Sequence, residues 1–151
     1  MIGVRKIGVG LDMSKGITKL MDPGKGTFDS GTEEWVAYGS NTIANDSGAL
    51  KITHVDSANG AKVNLNAASD LNANLVIGVD YRVKIRCKRD TDSSQFFYVS
   101  GPNEQSSAIP TSYTWLTIDF TATSTTANLL RCSGMGGGAS IWVDKWYIYK
   151  L

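Results

Sequence analysis

From Phe28 onward, apolar and polar residues alternate with a period of two, the repeat of a strand with one buried face. The longest run is Tyr81-Arg82-Val83-Lys84-Ile85-Arg86-Cys87-Lys88-Arg89. Tyr81, Val83, Ile85 and Cys87 fall on one side of such a strand, and Arg82, Lys84, Arg86 and Lys88 on the other. Residues 50–55 alternate as well, Asn59-Gly60 is a strong short hairpin signal, and residues 61–65 alternate again. Phe96-Phe97-Tyr98-Val99 reads as a short aromatic strand. Residues 115–121 alternate with Leu116, Ile118 and Phe120 on one face. Residues 127–132 and 140–151 form two further runs, the last one long and aromatic. No helical period appears; the best stretch for one, 66–75, is short and rich in Asn. About six to nine short strands separated by turn residues predict an all-β, two-sheet antiparallel sandwich of the jelly-roll kind.

Residues 1–26 break this pattern. They hold five Lys/Arg against two Asp, whereas residues 27–151 hold ten Lys/Arg against twelve Asp/Glu. Ile2-Gly3-Val4 is echoed by Ile7-Gly8-Val9, with glycine too frequent for a stable helix. The stretch 18–26 is a turn-rich connector. The composition therefore predicts an extended N-terminal arm, 1–26, leading into a domain, 27–151. The alternative is a leading strand of the same domain followed by a loop. Ile2, Val4, Ile7, Val9 and Leu11 are apolar and need a surface to dock on, which makes them partner-binding candidates.

The chain of 151 residues is 42 % apolar, enough for one domain with one core. Ser, Thr and Asn number 37 and Gly 16, which excludes a coiled coil, a collagen-like repeat and wholesale disorder. No apolar run is long enough for a membrane helix, so no membrane partner is expected. A net charge of +1 argues against nucleic-acid binding driven by bulk charge. Arg5 and Lys6 are not followed by an apolar stretch, so export through the general pathway is not expected. Asn45-Asp46-Ser47 matches a glycosylation acceptor but reads here as a polar loop.

With one histidine, His54, and two cysteines, Cys87 and Cys132, zinc sites of the Cys/His kind are excluded by counting. The cysteines read as two buried thiols, with a single bridge as the alternative. Catalysis fails on inventory. His54 sits inside an alternating run rather than at a loop end, where a serine triad would need it. Gly3 and Gly8 have phosphate-loop spacing, but Val9 and Gly10 stand where lysine and hydroxyl belong. Gly134 to Gly138 reads as a flexible connection. Nothing places Glu33, Glu34 or any Asp pair across a cleft, as sugar hydrolysis would need. The expectation is a protein that is not an enzyme.

The basic ladder Arg82, Lys84, Arg86, Lys88 has two readings. One is contact with an acidic partner surface or an anionic polymer; the other is a solvated face guarded by charge against edge pairing. The aromatics offer a second chemistry, because the apolar faces of sugar rings stack on exposed aromatic rings. By type the candidates are Phe97, Tyr98 and Trp115, with Tyr113, Trp142 and Trp146 behind them; the alternative for each is the core.

Five pieces in order give residues 26–151 a resemblance to a known family. They are Gly26-Thr27-Phe28-Asp29-Ser30-Gly31 with Trp35, Gly48-Ala49-Leu50-Lys51-Ile52, Gly78-Val79-Asp80-Tyr81, the Trp115 to Thr121 strand, and Ile141-Trp142-Val143-Asp144-Lys145-Trp146-Tyr147-Ile148. The chain resembles the carbohydrate-binding-module jelly rolls of the family 4/9/22 type. The resemblance implies a candidate structural calcium held by Asp29 and Asp144, although Lys145 stands where the pattern has a second acidic or amide residue. A jelly roll of this class without an export signal and with an arm is also similar to bacteriophage virion proteins. That likeness implies a capsid decoration protein assembled in the host cytoplasm, with the major capsid protein or other virion proteins as partners and homo-oligomers expected. A tail or fibre accessory protein and a stand-alone module binding a polysaccharide such as a host-surface glycan are the alternatives.

Overall fold

The computed structural model describes residues 17–55, 59–90, 95–133 and 138–151. They form β1 (Thr18–Lys19), β2 (Val36–Ala37), β3 (Thr42–Asp46), β4 (Ala49–Thr53), β5 (Asn59–Asn64), β6 (Asp80–Arg89), β7 (Phe96–Ser100), β8 (Glu104–Gln105), β9 (Thr114–Thr121), β10 (Leu129–Ser133) and β11 (Ser140–Lys150). No helix occurs among the described residues. The larger sheet runs β3-β4-β11-β6-β9, with β1 added to β11; the smaller runs β2-β5-β10-β7-β8. All pairings are antiparallel. The two sheets form the sandwich that the period-two pattern predicts.

The core lies between the sheets. Tyr81, Val83, Ile85 and Cys87 of β6 point inward, as their alternation requires, beside Leu116, Ile118 and Phe120 of β9. Val63, Phe97, Val99, Leu130 and Cys132 close the core from the smaller sheet. Trp35 stands between the sheets, edge-on to Phe97 at 6.4 Å and to Trp146 at 5.8 Å. Cys87 and Cys132 are both buried free thiols.

One local expectation changes. Asn59-Gly60 is not a hairpin turn: both residues open β5, and the Asn59 end of that strand pairs with Ser133 of β10. The alternating runs on either side of it enter different sheets, β4 beside β3 and β11, β5 beside β2 and β10. Thr18 and Lys19 of the arm pair with Lys150 and Tyr149. The Leu20 amide donates to the Ile148 carbonyl at 2.9 Å, Met21 bridges Leu71, and both side chains are buried. Thr18 to Met21 thus add to the ladders and the core of the sandwich. Ile2, Val4, Ile7, Val9 and Leu11 lie outside the described residues.

The opening motif of the resemblance does structural work. Gly26 has φ of +83°, and a Cβ there would lie 2.2 Å from the Trp146 carbonyl oxygen. Its own carbonyl accepts from the Trp146 amide at 2.9 Å. The Glu33 carboxylate accepts from the amides of Gly26 (2.8 Å), Thr27 (3.2 Å) and Phe28 (3.2 Å). Phe28 is thereby turned into the core, and the loop is stitched to β11.

Candidate functional site

The outer face of the larger sheet gathers what chemistry the described residues offer. The even residues of β6 point outward there. Cross-strand register places Arg82 between Tyr149 and Asp119, Lys84 between Tyr147 and Thr117, and Arg86 beside Trp115. Trp142 lies between Lys51 of β4 and Lys88 of β6. An irregularity between Val143 and Lys145 makes this surface possible. Before it the odd residues Ile141 and Val143 point inward; after it the even residues Trp146 and Ile148 do. The extra residue flips the parity of the strand, so Trp142, Tyr147 and Tyr149 come to share the outer face.

The rings and cations interleave. Trp115 and Tyr147 stack at 5.9 Å with their planes 29° apart, and Tyr149 meets Tyr147 edge-on at 6.4 Å. Lys19 lies over Tyr147 at 3.9 Å, Lys84 over Trp115 at 5.4 Å and Lys51 over Trp142 at 5.2 Å. Lys88 reaches both Tyr113 (4.9 Å) and Trp142 (5.2 Å), and the Arg86 guanidinium lies over Tyr113 at 5.1 Å. Trp115 is 40 % exposed, the most open of these rings.

The two arginines of the ladder differ from its lysines. Arg82 binds Asp119 through Nε and Nη2, both at 2.6 Å. That pair raises the guanidinium's pKa and holds the Asp119 carboxyl below its ordinary range. Arg86 is ion-paired with Asp144. The Trp142 indole donates to Asp46 at 2.8 Å and lowers that carboxyl's pKa. Among the described residues no carboxylate lies within ion-pair distance of Lys19, Lys51, Lys84 or Lys88. The ladder is thus neither a bare solvated face nor a uniform positive field. Its charges rest on aromatic rings that sequence reasoning took one at a time.

The three sugar-stacking candidates separate. Trp115 stands on the face just described. Tyr98 stands on the outer face of the smaller sheet, under the Arg131 guanidinium at 4.5 Å, its hydroxyl bonded to Asn103. Tyr38 carries Lys62 in the same way at 4.7 Å. Phe97 is fully buried and cannot meet a solute. A run of three aromatics, Phe96-Phe97-Tyr98, has no polar member to show which residues face in. Trp146 is likewise buried, while Tyr113 and Trp142 join the larger-sheet face. Lys19, Lys51, Tyr147 and Tyr149 were missed, since only strand pairing brings them alongside β6.

Asp29 and Asp144 take separate partners. Asp29 accepts from the Thr27 hydroxyl at 2.8 Å, and Asp144 is held by Arg86. Among the described residues no three His, Cys, Asp or Glu side chains gather as a metal site. His54 is buried with neither ring nitrogen hydrogen-bonded, so it has no triad partner among the described residues.

No protein-family model matches the chain, and no curated protein matches it. Solved structures do. One is the xylanase 10B of Clostridium thermocellum, a CBM22-1–GH10 pair of modules complexed with xylohexaose. It superimposes with a TM-score of 0.63 at 17 % identity over 88 % of this chain and 28 % of that one. The ligand-free BiXyn10A CBM1 module gives 0.62 at 15 % identity, over 83 % of this chain and 94 % of that one. The N-terminal cellulose-binding domain of Cellulomonas fimi β-1,4-glucanase C gives 0.60 at 22 % identity, over 85 % and 95 %. At these identities the likeness defines the fold: a carbohydrate-binding-module jelly roll.

Proposed function

We propose that this chain is a non-catalytic polysaccharide-binding module. The observation that carries the reading is the group of five outward rings, Tyr113, Trp115, Trp142, Tyr147 and Tyr149, on one sheet face. A sheet holds such rings at fixed spacing, and fixed rings lose little entropy when a sugar stacks on them. The fold supports the same reading, since the solved structures it resembles include a cellulose-binding domain and a CBM22-1–GH10 pair of modules complexed with xylohexaose. The capsid-decoration reading leans on the arm. Its apolar anchors lie outside the described residues, and within its described part, 17–26, Thr18 to Met21 pair and pack with the sandwich.

The test is affinity electrophoresis through gels holding xylan, a mixed-linkage glucan or polygalacturonate. At least one polysaccharide should retard the protein. Trp115→Ala should weaken that binding about five- to tenfold, the range of one lost ring contact of about 1 kcal/mol. No retardation by any member of a broad polysaccharide panel overturns the reading. Loss on Tyr98→Ala with Trp115→Ala unchanged moves the site to the smaller sheet.

A further inference from the structure

Resting on that reading, we propose that the ligand is an acidic polysaccharide, carrying carboxylates or sulfates along its length and laid across the outer face of the larger sheet. The face divides its cations into two sets. Arg82 and Arg86 are neutralised by Asp119 and Asp144. Lys51, Lys84 and Lys88 have no carboxylate within ion-pair distance among the described residues; Asp46, held on the Trp142 indole, acts on Lys51 and Lys88 only from farther off, and Lys84 has no such neighbour. Lys84 and Lys88 are four residues apart on β6, about 13 Å at strand rise, and Lys51 and Lys88 flank Trp142 across two strand spacings, about 10 Å. Across the strands the surface therefore reads ammonium, ring, ammonium at Lys51, Trp142 and Lys88, while along β6 the paired Arg86 guanidinium stands between the two ammoniums.

At one end the face sinks into an open depression of about 240 Å³ lined by Ile17, Arg82, Lys84, Tyr149 and Leu151. Ile17, Tyr149 and Leu151 give it apolar surface, and Lys84 gives it a cation with no carboxylate in ion-pair distance among the described residues. That pairing suits a sugar ring whose flat face is apolar and whose edge carries an anion. Lys84 lies over the Trp115 ring. A ligand anion drawing the ammonium aside uncovers the ring for the sugar, so the charged and stacking contacts reinforce each other. A neutral sugar would displace the ammonium and offer it only hydroxyl hydrogen bonds, weaker than the charge-assisted bond to an anion. Single-stranded nucleic acid also combines charge with flat rings. The module reading on which this inference rests favours the polysaccharide, and nucleic acid is tested beside it.

The experiment titrates the whole chain with polygalacturonate, xylan, a mixed-linkage glucan and an oligo-dT strand at low and at about 0.5 M salt. Polygalacturonate should bind at least about tenfold more tightly than either neutral polymer and lose at least about tenfold in affinity at high salt. Lys84→Gln with Lys88→Gln should cost about tenfold, with the fold retained because the inward residues of β6 are untouched; near-ultraviolet circular dichroism checks this. Trp115→Ala should weaken binding while leaving the salt dependence in place, which attraction by charge alone would not do. Equal or tighter binding to a neutral polymer overturns this inference and leaves the module reading standing. No binding to any polysaccharide overturns both. Tighter binding of oligo-dT overturns it in favour of nucleic acid, and polygalacturonate binding lost in Tyr98→Ala but not in the lysine variant overturns it by moving the site to the smaller sheet.

Discussion

Asp70 offers a sharp test of how this fold handles a buried charge. Its side chain is fully buried, and the nearest cation is the Lys25 ammonium, 3.3 Å from Oδ1. Burial pushes the carboxyl up from its ordinary 3.8 to about 6; the charge of Glu33 adds to the rise and Lys25 opposes it. A raised value means that the folded state favours the protonated form. The stability linked to that proton is fully present below 3.8 and is lost as pH rises through about 6. At about 1.4 kcal/mol per pH unit, the gap amounts to at most about 3 kcal/mol. Asp70→Asn keeps the shape and removes the ionisation. Urea unfolding of both proteins between about pH 4 and pH 7 should show the variant gaining on the wild type as pH rises, by up to about 3 kcal/mol, mostly below pH 6. Loss of the Lys25 partner lowers the variant's whole curve without producing that slope. A difference that does not change with pH, or one that shrinks as pH rises, refutes the reasoning and means that Lys25 holds the carboxylate charged.

Gly26→Ala should cost more than about 2 kcal/mol in urea unfolding, because a side chain meets both a φ of +83° and a carbonyl oxygen at 2.2 Å. A loss below about 1 kcal/mol shows that the loop can move off β11. The thiols should resist a disulfide reagent at pH 8 until the protein unfolds: burial pushes Cys87 up to about 12 and Cys132 well above its ordinary value. Fast labelling of the native protein contradicts that burial. Trp115→Ala should lower polysaccharide affinity, read by affinity electrophoresis, without lowering the free energy of unfolding by more than about 1 kcal/mol, since the ring stands on the outer face of the sheet.

Alternation by itself determined the class of fold and much of the core. Tyr81, Val83, Ile85 and Cys87 had to share one face, and Arg82, Lys84, Arg86 and Lys88 the other, whatever lay beside them. Parity is a local property of a strand, so it survives without knowledge of partners. It fails where a strand breaks its own period or where three aromatics run together. Phe97 and Tyr98 cannot be told apart from their neighbours alone, and in β11 the irregularity after Val143 sends Trp146 inward and Tyr147 outward. The candidate surface belongs to tertiary structure altogether. Lys51, Tyr147 and Lys84 come from three strands far apart in the chain and meet only because the last strand is inserted between β4 and β6. Strand order is chosen by the burial of whole faces, a long-range balance that no window of sequence contains.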